Sequence, residues 1–76
     1  MNKPTGTHAA NECVNALQDL QRDYDALRAL RDGTEPSLPA YDNIDRRLAS
    51  MRRQATKLIN QLNPSDVAWK RAFGMV

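Results

Sequence analysis

Two long stretches of this 76-residue chain place apolar side chains at a helical period. In the first, Ala10, Cys13, Leu17, Leu20, Tyr24 and Leu27 step by 3, 4, 3, 4 and 3, the spacing of a coiled-coil seam. The second repeats it: Tyr41, Ile44, Leu48, Met51, Ala55, Leu58 and Leu62 step by 3, 4, 3, 4, 3 and 4. Breakers punctuate the pattern. Thr7 is placed to cap the first helix and Gly33 to stop it. Thr34-Glu35-Pro36-Ser37 then turns the chain, with Ser37 as N-cap and Pro39 tolerated in the next first turn. Asn63-Pro64-Ser65-Asp66 stops and restarts it: Asn63 as cap, Pro64 at the first helical position, Asp66 favourable in the first turn, and Gly74 closing the last helix. The chain is therefore predicted to be all-α. It has a flexible N-terminus over 1–6 and one helical domain over 7–76, with helices over 7–32, 38–62 and 64–73 and a loop over 33–37.

A loop that short cannot carry the chain to the far end of helices roughly 38 Å long, so the two long helices should form an antiparallel, coiled-coil-like hairpin. Charge agrees with the pairing. Residues 7–32 hold five acids against three arginines, whereas residues 38–63 hold two acids against five bases. The expected register sets Tyr24 near Ile44 and Leu20 near Leu48, with Asp23 beside Arg47 and Arg28 beside Asp45. Each exposed pair contributes at most about 1 kcal/mol, so such pairs choose register more than they stabilise.

A seam of two positions in seven suits two helices and leaves apolar residues over. Val14 and Ile59 fall on one flank at the open end of the hairpin, where Val67, Trp69, Ala72 and Phe73 of the third helix also emerge. The third helix either folds back to cover that cluster or presents it to a partner. Covering is the simpler outcome, because a small domain seldom leaves a tryptophan idle. Val14, Ile59, Trp69 and Phe73 are nonetheless the candidate protein-binding residues.

Composition sharpens the question of partners. Ten of the 31 hydrophobic residues are alanine. The 21 larger side chains are few for a chain that must bury its own centre, and a homodimer forming a helical bundle is expected to supply the rest. A single cysteine, Cys13, excludes an internal disulfide, and with a single histidine, His8, no His/Cys zinc site is expected.

The search for catalysis returns no catalytic residue, no cofactor site and no metal site. There is no glycine-rich phosphate loop and no pair of carboxylates on an apolar face. Cys13 and His8, five residues apart, point to different sides of a helix, so Cys13 reads as a small core hydrophobe and His8 as a solvated residue. An enzyme is not expected.

Charge supplies the alternative. Arg46, Arg53 and Lys57 recur at seven and four residues on the outward face of the second long helix, with Arg47 and Arg52 beside them. Such a stripe can track phosphates, and helical hairpins that dimerise into bundles can bind RNA in this way. Against it stand a net charge of only +2, an acidic first helix and no aromatic among the arginines for base stacking. Membrane association is not expected, since no stretch approaches the roughly 20 apolar residues of a span and neither helix has a broad apolar face opposite lysines. The N-terminal residues carry no apolar run of a signal peptide, and with the lone thiol this leads to the expectation of a cytoplasmic protein. The sequence-based expectation is thus a small non-enzymatic regulator or inhibitor of the phage or plasmid kind, contacting another protein. A small RNA- or DNA-binding regulator is the alternative.

Overall fold

The structure, a computed structural model, describes residues 5–76, with side chains from Ala10 onward. Three helices follow one another: α1 (Thr5–Asp32), α2 (Pro39–Leu62) and α3 (Val67–Ala72). No strand occurs among the described residues. The two long helices pack against each other as an antiparallel hairpin, with Cys13 reaching Gln61 at one end and Arg31 reaching Asp45 at the other.

The helix ends depart from the expected caps in instructive ways. Thr7 already lies inside α1, so it does not precede the helix; residues 1–4 of the expected flexible N-terminus, and the side chains of Thr7 and His8, lie outside the described residues. At the other end of α1, the Gly33 amide donates to the Ala29 carbonyl at 3.2 Å and the Thr34 hydroxyl to the Leu30 carbonyl at 2.7 Å, satisfying two otherwise orphaned acceptors. Ser37 does not cap α2. That position belongs to Leu38, in extended backbone with no side-chain cap bond, and Pro39 sets the first turn by its fixed φ alone.

The third helix starts at Val67 rather than Pro64, because Pro64 and Ser65 are spent in a turn. The Asn63 side-chain oxygen accepts from the Ser65 amide at 3.1 Å, and the Asp66 carboxylate then caps α3 by accepting from the Trp69 amide at 3.0 Å. At its C-terminus Gly74 has φ +70, the left-handed conformation. The Met75 amide donates to the Lys70 carbonyl at 2.9 Å and the Gly74 amide to the Arg71 carbonyl at 3.0 Å, a Schellman closure that Gly74 makes feasible.

The hairpin register also differs from expectation. Asp45 meets Arg31, not Arg28, at 2.9 Å, and Arg52, not Ile44, comes to Tyr24. Judged at Tyr24, whose neighbour on α2 moves from position 44 to position 52, α2 is slid by about two helical turns, which retains the seam because the apolar pattern repeats at nearly that interval. Arg31 holds the closed end. Its hydrogen bond to Asp45 raises the guanidinium above its ordinary pKa against opposing desolvation, with Tyr41 and Asp32 adding to the effect.

The core comprises Leu17, Tyr24, Ile44, Leu48, Ala55, Ile59 and Phe73. Phe73, Leu17, Leu48 and Ile59 are fully buried, each contributing roughly 1.5–3 kcal/mol through apolar burial. Phe73 comes from beyond α3, so the C-terminal segment must reverse and run back along the hairpin. Tyr24 fixes its position: the phenol donates to the Phe73 carbonyl at 3.1 Å, and the two rings meet edge to face at 5.2 Å. The chain forms a rod of 55 × 19 × 14 Å.

Candidate functional site

The hairpin has two long faces, and among the described residues the chain itself covers only one of them. On the covered face the Phe73 ring sits against Tyr24, Trp69 stacks on Phe73 with centroids 6.4 Å apart, and the Thr56 hydroxyl contacts the Met75 sulfur at 3.3 Å. The expected protein-binding residues are thereby distributed as follows. Ile59 and Phe73 are fully buried in the chain's own core and offer no surface to a partner in this form. Val14 and Trp69 are half-buried.

The other face carries an open groove of about 540 Å³ between α1 and α2. On α1 it is lined by Leu20, Asp23, Leu27 and Leu30, which step by 3, 4 and 3 and so share one side of the helix. Arg47 and Met51, four residues apart, line it from α2. Leu20, Leu27 and Met51 pack against the core yet stay partly exposed, and Leu30 is 58% exposed. The apolar seam is thus split. Its Leu17, Tyr24, Leu48 and Ala55 positions are sealed, while Leu20, Leu27 and Met51 face outward into the groove. Asp23 stands on the α1 wall and Arg47 on the α2 wall, both exposed. The expected Asp23–Arg47 ion pair within one chain does not form.

Sequence reasoning placed Leu20, Leu27 and Met51 in the seam and did not single out this face. The available signal was Leu30, which extends the Leu20, Asp23, Leu27 row by a further turn and lies outside the seam pattern.

The basic residues other than Arg47 sit elsewhere on α2. Arg46, Arg53 and Lys57 are exposed, as is Arg47, whereas Arg52 is half-buried and donates to the Tyr24 phenol at 3.3 Å. From residue 46 onward the chain carries seven bases and a single acid, Asp66. Among the described residues none of those seven bases makes an ion pair; the pairs present are Arg22–Asp19, Arg31–Asp32 and Arg31–Asp45.

Cys13 is buried, its thiol directed to the Gln61 side-chain oxygen at 3.5 Å. Among the described residues no group of three His, Cys, Asp or Glu side chains is placed to hold a metal ion, and no helix is long and apolar enough to cross a membrane. No family model, curated protein or solved structure matches this chain.

Proposed function

We propose that this chain is a small non-enzymatic regulator or inhibitor that acts by protein–protein contact, and that its contact face is the groove between α1 and α2. The observation that supports this reading is the asymmetry of the hairpin. One face is closed by the chain's own Phe73, while the other leaves Leu20, Leu27, Leu30 and Met51 in an open apolar row flanked by opposite charges. Rows of this kind, apolar at the centre and charged at the rim, are suited to a helical protein partner. The test is a pair of variants in a pull-down from native lysate, with and without nuclease. Leu30→Glu combined with Met51→Glu should abolish protein capture, while Arg46, Arg53 and Lys57 changed together to glutamine should leave it intact. The reverse pattern would reject the reading.

One observation favours a second reading, an RNA- or DNA-binding regulator: the seven bases after residue 45 that lack ion pairs. Under that reading, the triple glutamine variant loses retention on RNA or DNA and flattens its salt dependence, because each phosphate contact displaced by salt contributes to the slope.

A further inference from the structure

We infer that the outer side of α2 is a docking surface for double-stranded DNA, with α2 seated in the major groove and the end of α3 on a bordering phosphate strand. The inference rests on the second reading, nucleic-acid binding, and specifies its ligand. The apolar groove lies on the neighbouring side of α2 and stays open to a protein.

Helical geometry assembles the surface. At about 100° per residue Arg46, Arg53 and Lys57 lie within roughly 40° of one another and span roughly 16 Å along the axis. They stand opposite Ile44, Leu48, Ala55 and Ile59, the buried side of α2, so α1 with its five acids is packed behind them. From Arg46 to its end at Leu62, α2 has no acid. Asn43 and Asn60, both exposed, bracket the row at its two ends.

The fold adds a second element that the spacing along α2 does not show. The C-terminal segment runs along α2 between its buried side and the basic row. Phe73 is joined to Arg52 through the Tyr24 hydroxyl, and Met75 touches Thr56, which lies roughly 60° around the helix from Arg53. Lys70 and Arg71, in the last turn of α3, come three and two residues before Phe73 and are thereby held beside the row. Arg71 is exposed, and neither base makes an ion pair.

Three features select the ligand. The outer side of α2 carries no apolar side chain between residues 42 and 61, so a protein would find no dry centre for an interface. No aromatic platform for single strands lies among the bases, since Tyr24 and Phe73 are buried and Trp69 stacks on Phe73. A helix about 10–12 Å across fits the B-form major groove, about 12 Å wide, where asparagine can pair with adenine edges, whereas the A-form groove of duplex RNA is deep and narrow.

Fluorescence anisotropy of the full chain tests this, with a labelled DNA duplex of two helical turns, the RNA duplex of the same sequence and the single DNA strand, each over a salt series. Duplex DNA should bind most tightly. Each lost phosphate contact flattens the log–log salt slope by about 0.9, so Lys70→Gln with Arg71→Gln should flatten it by about 2 and Arg46→Gln, Arg53→Gln and Lys57→Gln together by about 3, while Arg28→Gln on α1 leaves it unchanged. Thermal unfolding measured alongside verifies that the fold survives. An RNA duplex or single strand bound as tightly as the DNA duplex would overturn the major-groove arrangement, and a slope unmoved by Lys70→Gln with Arg71→Gln would overturn the α3 contact. Failure of the underlying reading looks different: the wild-type chain would bind none of the three nucleic acids, or the triple glutamine variant would bind them as the wild type does.

Discussion

Phe73 is the residue on which the covered face depends. Its ring is fully buried although it lies outside every helix, and its carbonyl accepts the hydrogen bond of the Tyr24 phenol. Truncation of Phe73 to alanine should cost about 3–5 kcal/mol in chemical denaturation, since the cavity would open beneath Trp69 and beside Tyr24. Tyr24→Phe keeps the ring and removes the hydroxyl, which donates to the Phe73 carbonyl and accepts from Arg52. It should cost about 1–3 kcal/mol by leaving the buried Phe73 carbonyl without its partner. Gly74→Ala tests the reversal itself. At φ +70 a side chain costs roughly 1–2 kcal/mol, and since an added Cβ would only reach ordinary contact with the Tyr24 hydroxyl at 3.4 Å, the loss should be about that large.

At the scale of elements, α3 is a helix of six residues, too short to be stable alone, and its order derives from the Asp66 cap and the docking of Phe73. Asp66→Ala should weaken it by about 1 kcal/mol, read as faster amide exchange confined to residues 69–72 while α1 and α2 stay protected. Removing residues 67–76 should go further. Tyr24 and Ile59 would lose their cover, so the melting temperature should fall and binding of a hydrophobic dye should rise.

The helices themselves were legible because apolar spacing and breakers are local signals. Their register was not, and the reason is physical. A heptad pattern looks nearly the same after sliding by one repeat, so the seam residues alone could not tell whether Tyr24 comes level with Ile44 or with Arg52. The start of α2 also differs from expectation: it is capped at Leu38, after a turn over residues 35–38, and not at Ser37. The same limit applies to caps, where Asn63 and Asp66 compete and the geometry of Pro64 awards α3 to Asp66.

For the whole molecule, what mattered was where the last ten residues lie. The seam positions are equivalent along the sequence, so nothing in their spacing tells which become sealed and which face a groove; the return of Phe73 to Tyr24 makes that distinction. The cluster of Val14, Ile59, Trp69 and Phe73 was visible as a candidate interface, yet its two most buried members serve the fold, and the open apolar row lies on the opposite side. The division of charge was fully legible, since it is a count. Its consequence required the geometry, because only the structure shows that Asp23 and Arg47 line the groove from opposite walls without pairing with each other.

The most direct measurement is solvent accessibility of side-chain methyl groups, read by NMR with a soluble paramagnetic probe in a dilute sample of the full chain. The methyls of Leu20, Leu27, Leu30 and Met51 should be reached by the probe, with those of Leu17 and Ile59 shielded. Groove methyls as well shielded as those of Leu17 and Ile59 would contradict the account.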